Sequence, residues 1–321
     1  MNTRFLRDLE VSAIGYGCMG LSHGYGAVPE RSESVRLIQS AFDLGCTFFD
    51  TAEAYGAGDN EKLVGEAVKP FRHKIVLATK LHLNKREGDT AAVIRRHLDA
   101  SLKRLGTDYV DLYYQHRIED DDMVEEVAKV MGALIKEGKI RGWGQSQASE
   151  EQVRRANAVT PLSAVQSEFS MMERMFEKDV IPACEELRIG FVPFSPLASG
   201  FLSGKYTKEQ VYTGDDVRRV ITRFAPENME RNQPLLDLLQ SLAKEKEATP
   251  AQISLAWMLH KKDFIVPIPG MRKVERMEEN FGADSVTLTE QEYELLEKSL
   301  ADIPLHGNRT DEDIAKLHFM R

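Results

Sequence analysis

Eight short β-rich runs alternate with helical patterns along this 321-residue chain, and that alternation restricts its fold more than any other feature. The runs fall at residues 14–18, 47–49, 75–78, 110–114, 140–144, 164–166, 191–194 and 264–268. Several are apolar on successive residues, the pattern of parallel strands covered on both faces. The segments between them carry helical periodicity with recognisable ends. Val35, Ile38, Ala41 and Phe42 form one stripe, stopped by Gly45; Val93, Ile94, Leu98, Leu102 and Leu105 form another, stopped by Gly106. Ser149-x-x-Gln152 and Thr289-x-x-Glu292 open two more as capping boxes, and Thr249-Pro250, with Gln252 beyond it, opens a third. Eight strand–helix units close on themselves, so the sequence predicts an α/β fold, a (β/α)8 TIM barrel spanning 1–321 as a single domain.

Two segments depart from the repeat. Residues 4–6 and 10–13 flank 7–9 and read as an N-terminal β-hairpin ahead of the first barrel strand. Residues 203–232, after strand seven, are too many for an ordinary barrel loop and are expected to fold over the site.

A content of 42% hydrophobic residues suffices for a packed core. The net charge of −9 argues against nucleic-acid or anionic-membrane partners, so any anionic ligand must meet a local basic cluster. Residues 1–8 lack the apolar stretch of a signal peptide, and no run approaches the ~18 apolar residues of a spanning helix. Cys18, Cys46 and Cys184 form neither a disulfide framework nor a zinc pattern; no metal site is expected, and a reducing cytoplasm fits.

Gly15-Tyr-Gly-Cys-Met-Gly20 is a literal G-x-G-x-x-G, but the dinucleotide fold requires its last glycine to open a helix. Gly24, Gly26 and Pro29 follow instead, and the first helix is predicted near Pro29–Glu30. The motif is better read as a loop that passes close to a ligand.

The strand ends carry the chemistry. Asp50 follows the second strand, Lys80 the third, His116 the fourth and Ser146 the fifth, with Gln166 at the sixth and Ser195 at the seventh. A barrel gathers these positions at its C-terminal mouth. Tyr55 lies five residues past Asp50. Carbonyl reduction creates an alkoxide that needs a proton from a nearby acid. A phenol of pKa about 10 is a weak acid, and an adjacent ammonium is expected to lower that value. A carboxylate keeps the ammonium charged, and a neutral histidine positions the carbonyl.

These motifs, across essentially the whole chain, resemble those of the aldo-keto reductase family. They include Val11-Ser-Ala-Ile-Gly-Tyr-Gly-Cys-Met-Gly20, Phe49-Asp-Thr-Ala-Glu-Ala-Tyr-Gly56, Ala78-Thr-Lys80 and Asp111-Leu-Tyr-Tyr-Gln-His-Arg117. Gly138-Lys-Ile-Arg-Gly142, Ser195-Pro-Leu-Ala-Ser-Gly200 and Ile268-Pro-Gly-Met-Arg272 continue the series. The resemblance implies NADPH-dependent reduction of a small aldehyde or ketone, with Asp50, Tyr55, Lys80 and His116 as catalytic tetrad and Tyr55 as general acid. It implies that Ser146 and Gln166 hold the nicotinamide carboxamide and that Phe194 stacks on the ring. Gly17, Met19, Asp50 and Gly270 would also border the NADP(H). Ser195, Pro196, Leu197, Ser199, Gly200 and Lys205 would cover the pyrophosphate, with Arg218 as a clamp. Arg272 and Arg276 would take the 2′-phosphate, where guanidinium forks meet the start of a helix, and Glu279 and Asn280 would read the adenine.

One strip departs from the family pattern: Gly144-Gln-Ser-Gln147 stands where many relatives have Gly-Leu-Ser-Glu or Gly-Leu-Ser-Asn. The adjacent Trp143 is expected to fill the barrel. Tyr25, Arg117 and Phe224 are candidates to line the substrate pocket, with specificity in loops 21–28, 117–122 and 204–232 and the tail from His306. Two other readings stay open. Ser203-Gly-Lys-Tyr206 and the 195–200 motif also resemble the β-subunits of potassium channels, which implies a redox-sensing NADP(H)-binding subunit with little turnover. A barrel aldolase would use Lys80 as a Schiff base, leaving Tyr55 and Arg276 unexplained. The sequence fixes neither the substrate nor the oligomeric state.

Overall fold

The computed structural model describes residues 1–83 and 88–309. Seven parallel strands run in sequential order around one sheet. They are β3 (Tyr16–Gly17), β4 (Phe48–Asp50), β5 (Val76–Leu81), β6 (Val110–Gln115), β7 (Ile140–Ser146), β8 (Ala164–Glu168) and β9 (Gly190–Phe194). The eighth position is the segment 265–269, which makes only an isolated bridge, Ile265 with Phe191. It closes the ring all the same. The amides of Val266 and Ile268 donate to Phe191 and Pro193, while Gly15 and Gly17 donate to the carbonyls of Pro267 and Pro269. The two prolines face β3 and lack donors, so that side of the ladder is built from their carbonyls alone. Pairing is thereby thinned without opening the barrel.

A hairpin of β1 (Thr3–Leu6) and β2 (Leu9–Ser12) precedes the barrel. The turn is two residues, Arg7-Asp8, rather than three: Leu9 pairs with Leu6 and is 4% exposed, so burial draws it into the strand. Leu6, Leu9 and Val11 belong to the inner core with Phe48, Val76, Leu112, Val192 and Val266. The hairpin therefore plugs the end of the barrel opposite the strand C-termini. Gly144 faces inward, where an added Cβ would meet Tyr114 at 2.6 Å, so its missing side chain is what admits that ring.

Around the sheet lie α1 (Arg31–Asp43), α2 (Asp59–Val68), α3 (Thr90–Leu105), α4 (Val124–Lys136), α5 (Glu150–Val159) and α6 (Val180–Leu187). After β9 come α7 (Pro226–Arg231), α8 (Gln233–Glu245), α9 (Pro250–Lys261), α10 (Val274–Phe281) and α11 (Glu290–Asp302). Both expected capping boxes form, at Ser149 and Thr289, and the helix start at Thr249 forms a third with Gln252. The G-x-G-x-x-G motif leads only into a single 3-10 turn, Met19–Leu21, and the first α-helix waits until Arg31. The long segment after β9 is more ordered than a loop, holding 3-10 turns and α7.

Trp143 does not fill the barrel. It faces the helix layer, with its indole N–H donating to Thr160 O at 3.1 Å, because alternation along β7 turns Gly142 and Gly144 inward instead. Of the tail expected to shape specificity, residues 310–321 lie outside the described residues. Among those described, no helix is long and apolar enough to cross a membrane.

Candidate active site

The strand ends and the turn after β4 gather four ionisable side chains into one group, with Asp50, Lys80 and His116 buried and Tyr55 half-buried. Lys80, on β5, is fully buried, and Asp50, at the end of β4, is 2% exposed. The Lys80 ammonium pairs with Asp50 Oδ1 and donates to Thr51 O at 2.8 Å and to the Tyr55 hydroxyl at 3.3 Å. It also stands 4.9 Å from the centre of the Tyr55 ring. Gln166 Nε2 donates to the second oxygen of Asp50 at 2.9 Å. His116, just past β6, sets its ring edge-on to Tyr55 at 5.8 Å.

Burial governs the titration of this group. It pushes the Tyr55 phenol up, against the pull of Lys80, and Asp50 adds to the rise. The expectation that the ammonium would bring the phenol below its ordinary value is therefore corrected: desolvation outweighs the charge. For Lys80 the burial cost is overcome by Asp50 and Tyr55, and its pKa rises, so the ammonium is retained. Burial and then the Lys80 charge hold His116 well below the ordinary histidine range. Its imidazole is neutral at pH 7, and its Nδ1 is buried without a hydrogen-bond partner. The arrangement holds a protonated phenol against a fixed ammonium, beside a neutral imidazole.

A second region flanks the mouth. After β9 the backbone takes positive φ at Ser195, Ala198, Ser199 and Gly200, folding the 195–200 motif into tight turns. The Ser199 hydroxyl is buried and unpartnered there. Across from it, Lys205 reaches both oxygens of Glu279 at 3.2 Å, and Arg276 pairs with the same carboxylate. Asn280 lies buried on α10 beside them. Arg272 instead donates to the carbonyls of Ala27 (2.8 Å) and Tyr25 (3.0 Å). Gly17 presses on the eighth segment so closely that a Cβ would meet Ile268 O at 2.7 Å, and the amide of Gly270 lies 3.7 Å from the same point.

The remaining candidates divide between the mouth and the segment after β9. Arg218 is buried in a two-pronged pair with Asp216 (2.9 and 2.6 Å) and stacks against Tyr206 and Tyr212. Phe224 lies in an aromatic cluster with Phe201, Tyr206 and Tyr212. Arg117 donates to Ser146 Oγ at 3.2 Å and approaches the Phe194 ring. The unusual Gln147 holds φ +58 and accepts the Glu168 amide at 3.0 Å, bridging the ends of β7 and β8.

Two histidines not singled out from the sequence also stand here. His23 lies 5.4 Å from the Tyr55 ring, and His82 lies 4.4 Å from that of His116. His82 was legible: two residues past Lys80, strand alternation sends it to the same side. Among the described residues, no group of three or more His, Cys, Asp or Glu could hold a metal ion.

Comparison with known proteins agrees with this geometry. The profile described as "Aldo/keto reductase family" matches residues 13–301. The chain is 42% identical over 294 residues to "Probable aldo-keto reductase 1" of Glycine max, covering 89% of this chain and 84% of that protein. The solved glycerol dehydrogenase AKR11B4 of Gluconobacter oxydans superposes with a TM-score of 0.84 at 27% identity, covering 96% of this chain and 98% of that one. An aldo/keto reductase of Klebsiella pneumoniae, solved with NADP and acetate, superposes at 0.74 with 26% identity, covering 96% and 97%. On sequence and on fold, the chain belongs to the aldo/keto reductase family.

Proposed function

We propose that this protein, acting as one barrel domain, reduces aldehydes or ketones to alcohols with NADPH, and that Tyr55 is the general acid. The observation that carries the reading is the Lys80 ammonium, buried and shared between Asp50 and the Tyr55 hydroxyl. When bound, NADPH supplies a hydride to the carbonyl carbon. The chain's own residues handle the proton and the orientation. Tyr55 holds a proton on its hydroxyl because burial disfavours the phenolate, and it yields that proton as negative charge grows on the carbonyl oxygen. Lys80 stabilises the phenolate left behind; Asp50, fixed by Gln166, keeps Lys80 charged and aimed. Neutral His116 offers a ring nitrogen to the carbonyl oxygen without competing for the proton.

The cradle for the cofactor is supported by three observations. The orphaned Ser199 hydroxyl sits in the tight turn that begins at Ser195, Pro196 and Leu197. Gly17 lets its loop, which runs on to Met19, pack directly on the backbone of the eighth segment at Ile268 and Gly270, which brings these two stretches of chain together at the mouth. Arg276 and Lys205 concentrate positive charge on Glu279 in a protein of net charge −9. Arg276 is assigned to the 2′-phosphate, Arg272 to a supporting contact, and Ser146, Gln166 and Phe194 to the nicotinamide. Arg218 would have to share its Asp216 pairing to serve as a clamp.

The test is consumption of NADPH by the purified protein over a panel of carbonyl compounds, with NADH in parallel. Turnover with preference for NADPH is expected. Tight retention of NADPH without turnover on any carbonyl would instead favour a regulatory binding subunit.

A further inference from the structure

We propose that Glu53 is a positioning residue for the proton donor: its carboxylate carries the β4–β5 ladder past its last backbone bond and so holds the turn bearing Tyr55 within reach of Lys80. The inference rests on the carbonyl-reductase reading above and adds a residue which that reading does not use.

Tyr55 does not lie on a strand. It opens the 3-10 turn Tyr55–Gly58, in which Gly56 and Ala57 both take left-handed backbone, at φ +56 and +51. The Tyr55 amide donates to Ala52 O at 3.1 Å, a bond internal to its own segment. Its hydroxyl meets the Lys80 ammonium at 3.3 Å, at the outer limit of a hydrogen bond, so a small displacement of the turn would break the contact. The turn must therefore be placed by its neighbour.

Strand β5 places it rung by rung. The Thr51 amide donates to Ala78 O at 2.9 Å and the Glu53 amide to Lys80 O at 3.2 Å, so pairing continues after β4 ends at Asp50. The amide of His82 then donates to Glu53 Oε1 at 2.8 Å, where a side chain takes the place of a backbone acceptor. Glu53 is thus tied to β5 twice, by its own amide at Lys80 and by its carboxylate at His82. Two ties fix both the position and the rotation of a residue that stands just before Ala54 and Tyr55.

The carboxylate is itself held from behind. His97 Nδ1, on α3, lies 2.8 and 3.0 Å from its two oxygens, and Arg104 Nη2 approaches at 3.9 Å. His97, Ser101 and Arg104 share one face of α3 by their spacing. Arg104 also donates to Ser101 Oγ at 3.0 Å and to Glu61 Oε2 at 2.5 Å. Glu61, fully buried on α2, accepts the hydroxyl of Thr79 at 2.5 Å, and Thr79 directly precedes Lys80. The network therefore returns to the strand that carries the ammonium. With Glu53 14% and His97 20% exposed, water competes weakly for these bonds. The outer helix α3 acts on the acid through the backbone of residues 53–55.

The experiment follows single-turnover reduction of an aldehyde by the NADPH-loaded protein. It also follows, apart from turnover, the Cζ carbon resonance of Tyr55 in tyrosine-labelled protein, assigned by its loss in Tyr55→Phe. Glu53→Ala should slow reduction by about tenfold to a hundredfold, the scale of a small misplacement of a reacting group, with the Kd for NADPH within about twofold. It should also shift the Tyr55 resonance. Glu53→Gln keeps an oxygen for the His82 amide, so its rate should stay within about threefold of wild type and the resonance should stay in place. In a Tyr55→Phe background, Glu53→Ala should cost less than about twofold, because the group it positions is gone; a residue that merely stiffens the barrel would cost the same in both backgrounds. Melting curves check folding. If Glu53→Ala does not fold, Glu53→Asp, whose carboxylate falls a methylene short of His82, replaces it with the same expectations. A Glu53→Ala rate within about threefold of wild type, an equal loss in both backgrounds, or a Glu53→Gln as slow as Glu53→Ala overturns the proposal while leaving carbonyl reduction intact. If the wild type reduces no aldehyde, the reductase reading falls instead, and the Tyr55 resonance decides the positioning alone. Displacement in Glu53→Ala but not in Glu53→Gln supports it; any other pattern overturns it.

Discussion

Replacing Lys80 by methionine separates what the buried ion pair does for stability from what it does for chemistry. The substitution keeps the side chain's length and removes three donated contacts, to Asp50, to Thr51 O and to the Tyr55 hydroxyl. Asp50, 2% exposed, then keeps the single hydrogen bond from Gln166. Removing one partner of a buried pair costs about 3–5 kcal/mol, because the other charge stays desolvated. For a chain of this length that corresponds to a fall in Tm of roughly 4–8 °C. Burial already raises the Asp50 pKa, and without Lys80 the carboxyl rises further. A folded-state pKa above the unfolded one means that the folded state binds the extra proton. Lys80→Met should therefore regain stability as pH falls from neutrality toward the ordinary carboxylate range. Adding Asp50→Asn removes the stranded charge, so the double variant should recover most of the lost Tm at pH 7. Activity should not recover, since both variants lack the cation beside the phenol; a loss of about 10²–10⁴-fold in kcat/KM is expected for each. Thermal melting and NADPH consumption measure the two effects. A double variant no more stable than Lys80→Met, or a single variant within tenfold of wild-type activity, would refute the reasoning.

Other consequences concern His116 and the basic cluster. The folded state holds the His116 pKa well below the unfolded value near 6.5, so acidification protonates the unfolded chain first and stability falls as pH drops below about 6.5, by at most about 1.4 kcal/mol per unit from this group. Chemical denaturation at pH 7 and pH 5 should show a smaller loss in His116→Gln than in the wild type, and equal losses would remove His116 as the cause. Arg276→Ala should raise the KM for NADPH by about tenfold or more while changing that for NADH far less. Equal changes for both cofactors would rule out the assigned 2′-phosphate contact.

Much of this was legible in the sequence because it follows from local rules. Thr249, Pro250 and Gln252 announce a helix start by chemistry that needs no tertiary context, and the helix starts there. Alternation along β5 puts Lys80 inside, and one residue of polar character at each strand end is enough to draw the ring at the mouth. The misreadings have equally specific causes. The size of Trp143 suggests a barrel filler, whereas its facing is set by the small residues on either side of it. Residues 7–9 alone read as a turn because nothing in them shows that the barrel floor needs the Leu9 side chain. The direction of the Tyr55 shift depends on how deeply the group is buried, which spacing does not reveal. Least legible was the bond between Glu53 and His97, 44 positions apart, because nothing in the stripe of α3 shows what its histidine faces.

One protein, Tyr55→Phe, bears most directly on the assignment of the acid. Single-turnover reduction of an aldehyde and the Kd for NADPH should be measured on the same preparation. A rate lower by roughly a thousandfold, within the range of a lost general acid, together with cofactor affinity close to wild type, is the expected pair of results. Reduction within tenfold of the wild-type rate would show that the proton comes from some other group.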